Sequence, residues 1–316
     1  MSTTATIEET QCIFCHSPSS DIAITENGFN GVRCAQCNLI YISPRPSEDD
    51  VRRLYTEDHV ALYADAQLNF DEFNRMEAAE TLAIVQKYKR GGSMLELGPG
   101  GGSFLTEARG LGYEPYAIEL NPIEAEWINR NLEIVCETEP LDPNSFDGKQ
   151  FDVIYHRDVL SHLSDPIGLF SEINRALKRD GILVFETGNI ADVSAKYMKY
   201  FSQFSYPDHL FFFGEKSLMM LLQRAGFKLV KIYRKNILPE LLLQKLLWQF
   251  KDRLKDRSVI DKMKQDKQVN TAAVGMTFKR RLRLWYRYSR HYLVKLGKLL
   301  PKTHRPLKLI VVASKA

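Results

Sequence analysis

The 316-residue chain has 44% hydrophobic and 26% charged residues, the ordinary balance of a folded globular protein. It contains no run of 18 or more apolar residues, which excludes a membrane-spanning helix, and its first residues lack the basic-then-apolar pattern of a signal peptide. A cytoplasmic protein is therefore expected. The net charge of +4 hides an asymmetry: residues 1–230 hold 20 Lys+Arg against 34 Asp+Glu, and residues 231–316 hold 23 against 5. Such a split implies a basic segment with its own partner, or one that packs on the acidic part.

The first element, residues 1–46, is a small cysteine module. Cys12-x2-Cys15 and Cys34-x2-Cys37 stand eighteen residues apart, with turn signals at Asn27-Gly28 and Asn30-Gly31 between them. Without a secretory signal, paired CxxC units indicate metal before disulfide, and this spacing matches a zinc ribbon. Four thiolates close a tetrahedral site and leave no open position, so the zinc is expected to be structural. Phe14, Ile40 and Tyr41 are candidates to pack around it. The run Ser43–Ser47 reads as a stiff exit, and residues 48–90 follow a helical pattern that stops at Gly91-Gly92.

From there, short apolar runs alternate with helical stretches, the signature of a parallel α/β sheet. The pattern predicts strands near 93–98, 113–120, 133–136, 151–156, 181–187, 227–234 and Leu307–Ala313. Helices are predicted near 102–110, 122–130, 166–178 and 215–225. The run Leu95-Glu96-Leu97-Gly98-Pro99-Gly100-Gly101-Gly102 turns the first strand into the first of these helices. Glycines there let the backbone approach a ligand, and the helix start offers free N–H donors. The next strand ends in Glu119, a carboxylate placed to accept hydrogen bonds from a ribose diol.

The spacing Glu96-x-Gly98-x-Gly100-x-Gly102 resembles the first motif of the class I S-adenosylmethionine (SAM)-dependent methyltransferases. The resemblance covers about residues 70–234 and the last strand. It implies a seven-stranded doubly wound, Rossmann-like α/β sheet over residues 47–234 and 307–316. It also implies SAM contacts at Glu96, Leu97, Gly98, Pro99, Gly100, Gly102, Glu119, Leu120, Glu137, Thr138 and His156. In that likeness Glu96 and the glycine backbone hold the methionine end, Glu119 the ribose hydroxyls, and Glu137 and Thr138 lie near adenine. The segment Val159-Leu160-Ser161-His162-Leu163-Ser164-Asp165-Pro166 is similar to the family's "VLEHLxDP" box, with Asp165 a natural helix N-cap. Tyr206-Pro207-Asp208-His209 is similar to the "YHEH" box of sugar C-methyltransferases, with Pro207 departing from it. The candidate catalytic residues are His162, because imidazole titrates near neutrality, and His209 and Tyr206, because the resemblance implies that Tyr and His of that box line the sugar site.

Residues 235–306 form an insertion before the last strand. Ile237–Phe250 is an apolar helical stretch. Phe278, Leu282, Trp285, Tyr292, Leu296 and Leu299 form a stripe among Lys279, Arg280, Arg283, Arg287, Arg290 and Lys298. This basic amphipathic pattern over 278–300 either packs on the core or meets an anionic membrane surface or nucleic acid. Zinc ribbons precede the catalytic domain in some sugar and some ribosomal RNA methyltransferases. The module by itself leaves both substrates open; the ribbon, the Tyr206–His209 segment and the basic insertion together favour, by resemblance, a sugar or glycan precursor as methyl acceptor. An RNA, or a lipid or quinone at the inner membrane face, is the alternative, as is a non-enzymatic SAM-binding zinc protein.

Overall fold

The computed structural model describes residues 7–19, 21–47, 50, 71–255, 289 and 304–316. The basic stripe expected over 278–300 lies outside them, apart from Ser289. The cysteine module contributes β1 (Ile7–Glu8), β2 (Ile22–Glu26), β3 (Phe29–Arg33), β4 (Ile40–Ile42) and β5 (Arg45–Pro46). β1 and β5 pair antiparallel. β2 and β3 form a hairpin whose two turn residues, Asn27 and Gly28, both have positive φ (52° and 82°), as a type I′ turn requires.

The larger part begins with α1 (Asp71–Val85) and β6 (Gly92–Leu97), followed by α2 (Ser103–Gly110) and β7 (Tyr113–Ile118). Next come α3 (Pro122–Trp127), β8 (Val135–Glu137), β9 (Phe151–Arg157), α4 (Pro166–Ala176) and β10 (Leu177–Gly188). The chain continues through α5 (Ala195–Met198), β11 (Phe211–Phe212), α6 (Glu215–Arg224), β12 (Phe227–Asn236), α7 (Leu238–Lys255) and β13 (Leu307–Lys315). The seven-stranded sheet runs β12-β13-β10-β9-β6-β7-β8. β6 to β10 pair in parallel, and β13 lies antiparallel against β10. This is the doubly wound, Rossmann-like methyltransferase sheet expected from the alternating pattern.

Both faces of this sheet are covered, which is why β9 reads as an almost continuous buried run. On one face Leu82 and Val85 of α1 pack with Met94, Phe104, Tyr155, Val184 and Val312. On the other, Phe170 of α4 meets Phe185 edge-on, with ring centres 5.3 Å apart. Each such fully buried side chain contributes about 1.5–3 kcal/mol of burial. α4 ends at Ala176, not 178, because β10 already starts at Leu177, with a register shift before Ile182.

The structure adds one pairing that the pattern did not predict. Phe211 and Phe212, read from sequence as loop, form a fourth strand on the cysteine module's sheet, in the order β11-β4-β3-β2. Phe211 pairs Tyr41 and Phe212 pairs Ile40. The run is too short to show a period, and only the neighbouring edge of β4 makes it a strand.

The chain divides into two compact units. One is Met1–Asp192, Phe204–Arg234 and Lys308–Ala316; the other is Val193–Gln203 and Lys235–Leu307. Within the second, Lys245 Nζ donates to Lys199 O (2.7 Å) and lies over the Tyr200 ring, while Ile237 N donates to Pro306 O (3.1 Å). No helix among the described residues is long and apolar enough to cross a membrane.

Candidate active site

The loop from β6 to α2 holds Gly98, Gly100 and Gly102 at φ of 67°, 53° and 71°, a left-handed backbone that side chains resist. A Cβ on Gly98 would stand 2.9 Å from Val159 Cγ2, and one on Gly102 would stand 2.4 Å from Leu132 Cδ1. Glu119 pins this loop. Its carboxylate accepts from Gly100 N (3.1 Å) and from Asn121 N (2.9 Å). Lone pairs remain on both oxygens for a ligand hydroxyl.

Glu96 is buried on β6, and its Oε2 has no hydrogen-bond partner among the described residues. Burial pushes its carboxyl up to about 8, with Glu119 and Glu186 adding to the effect and Arg157 opposing it. Glu124 behaves alike: it is buried, its Oε1 lacks a partner, and burial with the nearby Glu119 raises it to about 7. Carboxyl groups held dry beside a bare glycine loop suit a cationic ligand, whose charge would restore their ionisation. The sequence reading missed Glu124. Its signal was an acid in the first turn of a helix capped by Asn121, whose side chain accepts from Ile123 N and Glu124 N.

The other expected cofactor residues are spread more widely. Leu97 is buried, whereas Pro99 and Leu120 are half-buried. Glu137 accepts from Phe146 N (2.8 Å), and Thr138 is exposed. His156 does not join the loop: its ring is fully buried, stacked on Phe185 at 5.1 Å and edge-on to Phe170 at 5.6 Å. Neither ring nitrogen has a partner among the described residues, and burial holds its pKa down at about 3. It is a neutral core side chain.

A second cluster lies beyond β9. The turn at 159–162, which places Val159 against Gly98, also carries His162, whose N–H donates to Val159 O. Leu210 N donates to Ser161 O (2.7 Å), which ties this turn to the 204–213 segment. His162 Nδ1 lies 3.1 Å from Asp208 Oδ1, and the His162 and His209 rings meet edge-on with centres 4.5 Å apart. Burial, with His162 adding to it, holds the His209 pKa down at about 4, so that imidazole is neutral. Tyr206 turns elsewhere: a Cβ on Gly31 of β3 would strike its hydroxyl, and its ring stacks on Phe212 at 5.7 Å. The structure thus brings His162 and His209 together with Asp208, and sends the Tyr206 hydroxyl toward the cysteine module.

A family profile described as a methyltransferase domain matches residues 70–232, more than half of the chain. The chain belongs to this methyltransferase-domain family. It is 25% identical over 149 residues to the tRNA U34 carboxymethyltransferase of Aliarcobacter butzleri (strain RM4018), covering 46% of this chain and 48% of that protein. It is 28% identical over 180 residues to phosphoethanolamine N-methyltransferase 2 of Caenorhabditis elegans, covering 52% of this chain and 40% of that protein. The matches thus span less than half the length of either relative. The crystal structure of Burkholderia thailandensis 1,6-didemethyltoxoflavin-N1-methyltransferase superposes with a TM-score of 0.50 at 15% identity. That match covers 94% of this chain and 100% of the other, and the likeness is one of fold.

The cysteine module grips the 204–213 segment. Glu26, at the end of β2, accepts from Phe204 N and Tyr206 N, each at 2.8 Å, one on each carboxylate oxygen. Asn27 Nδ2 donates to Tyr206 O (2.7 Å), and Ile42 N donates to Leu210 O (3.0 Å). Arg33 and Asn38 both donate to Ala191 O, at 2.7 and 2.8 Å. One donor atom from each of Cys12, Cys15, Cys34 and Cys37 lies within 4.8 Å of the others, and Cys12 Sγ is 3.4 Å from Cys37 Sγ. Four thiolates about 2.3 Å from one ion stand about 3.8 Å apart, so this donor set fits a tetrahedral zinc.

A buried ion network supports the sheet between the two clusters. Glu186 on β10 pairs with Lys308 Nζ on β13 (2.6 Å) and accepts from Tyr155 OH (2.9 Å) and Thr81 Oγ1. Desolvation would raise this carboxyl, yet Lys308 and Arg157 outweigh it and hold Glu186 at about 2. Arg157 in turn faces Glu77 at 3.3 Å.

Proposed function

We propose that the enzyme methylates a small hydroxylated acceptor, a sugar or glycan precursor. The observation that supports this reading is the His162–Asp208–His209 cluster beside Val159 and the glycine loop. Two imidazoles and a carboxylate at the site offer donors and acceptors to the hydroxyl groups of a polyol and nothing specific to an apolar quinone or lipid tail. In this reading Glu96 faces the methionine ammonium of SAM and Glu119 the ribose hydroxyls, with Leu97, Pro99, Leu120, Glu137 and Thr138 around them. The sulfonium of SAM makes the methyl group electrophilic, so the chain has mainly to align acceptor and donor. Cys12, Cys15, Cys34 and Cys37 would hold a structural zinc that keeps β2–β4 in shape under the acceptor segment. Tyr206 serves there as a wall packed on Gly31.

A second reading, an RNA acceptor, has two supports: the basic balance of residues 231–316 and the tRNA-modifying relative. Labelled-methyl transfer from SAM, screened against nucleotide sugars, RNA and membrane extract, separates the two. Label in nucleotide sugars that disappears with Gly100→Trp, while that variant keeps its folded circular-dichroism spectrum, is the expected result. Label confined to RNA or to lipid overturns the sugar reading.

A further inference from the structure

We infer that His162, Asp208 and His209 form a second metal site, open on one side, for a divalent first-row transition cation. One donor atom from each of the three residues lies within 4.8 Å of the others. Bonds of about 2.1 Å at right angles would separate neighbouring donor atoms by about 3 Å and place imidazole centres about 4.5 Å apart. His162 Nδ1 and Asp208 Oδ1 are 3.1 Å apart, and the two rings are centred 4.5 Å apart at an interplanar angle of 75°.

A separate observation concerns His209 itself. Its Nδ1 is buried and has no hydrogen-bond partner among the described residues. A buried ring nitrogen without a partner, beside a second imidazole and a carboxylate, calls for an ion or another donor to satisfy it. The segment is not free to rearrange around a different need, because Glu26 and Asn27 clamp it from the cysteine module and Ser161 O ties it to the His162 turn. A single lone pair cannot take a proton and bind a cation at once. Three converging donors of types N, N and O favour the cation.

Two imidazoles and one carboxylate select iron, cobalt, nickel, zinc or manganese over magnesium or calcium, which prefer all-oxygen sites. Three protein ligands leave positions for two oxygens of an acceptor. This inference deepens the methyl-transfer reading and rests on it for the site's use, but the presence of an ion can be tested without any acceptor.

The test uses the full-length protein carrying one zinc equivalent, dialysed against Co2+, with metals counted by mass spectrometry and SAM binding followed by calorimetry. Two ions per chain are expected in the wild type. One ion per chain is expected in His209→Ala and in Asp208→Ala, with Co2+ affinity at the second site at least tenfold weaker and SAM affinity unchanged within twofold. The unchanged SAM affinity shows that these variants fold. One ion per chain in the wild type overturns the inference, as does a second ion that persists in the His209→Ala/Asp208→Ala double variant. If SAM fails to bind while the second ion does, the methyl-transfer reading falls and the metal site stands.

Discussion

The two halves of the proposed site are built in opposite ways. The cofactor side comes from one continuous stretch: Glu96, the glycine loop, Glu119, Asn121 and Glu124 lie within thirty residues on two adjacent parallel strands and the turns that follow them. The acceptor side gathers residues 26–27 of the cysteine module, the turn at 159–162 and the 204–213 segment, joined by backbone pairing and by one glutamate. A local construction carries a readable motif because spacing along the chain sets geometry. A gathered construction has no fixed spacing, so its geometry rests on whatever docks the pieces.

That contrast can be broken most severely where the halves touch. Gly98→Val forces a side chain onto a left-handed backbone and into Val159, so SAM affinity by calorimetry is expected to fall about 100-fold, or about 3 kcal/mol. Binding within threefold of wild type would mean that the loop does not carry the cofactor. Glu26→Ala removes two charge-assisted hydrogen bonds from the acceptor segment alone. The Phe204 and Tyr206 amides should then exchange hydrogen at least tenfold faster while SAM affinity stays within twofold. If both move together, the two halves are not separately built.

A smaller effect comes from Glu96. Its pKa is raised to about 8 in the folded protein, so it is mostly protonated at neutral pH and must ionise to pair with the cationic cofactor. SAM binding should therefore release a proton below pH 8, and affinity should rise with pH, by at most tenfold per unit, before levelling off above about 8. Calorimetry in buffers of different ionisation enthalpy reads this directly, and a pH-independent affinity would remove Glu96 from the cofactor contacts. Without cofactor the same shift lowers stability as pH climbs from about 4.5 toward 8, because the unfolded carboxylate ionises first. The mildest change is Asn38→Ala, which loses the bond to Ala191 O and puts alanine at φ 64°. It should cost about 1–2 kcal/mol, a melting shift of about 2–8 °C, with SAM binding intact.

Much of this was legible in the residues themselves. The cysteine spacing, the Asn27-Gly28 hairpin turn, the strand–glycine–helix run and the acid just after β7 are all local patterns, and the structure holds each of them. β11 was not legible, because two phenylalanines in an aromatic loop carry no periodicity and become a strand only on the edge of β4. The inward turn of the Tyr206 hydroxyl was equally hidden, since it depends on the open face that Gly31 leaves 175 residues earlier. His156 looked like a site residue at the end of a strand. The alternation of β9 sends it to the face covered by Phe170, where it is sealed.

The sequence by itself determined the methyltransferase sheet, the glycine loop and the four-cysteine cluster, because short-range spacing and hydrophobic period dictate them. The tertiary structure alone decided which polar side chains meet across the acceptor side. Glu26 is brought to the 204–213 backbone, and His162 to Asp208 and His209, by strand addition and backbone hydrogen bonds between distant segments, and no interval along the chain encodes those distances.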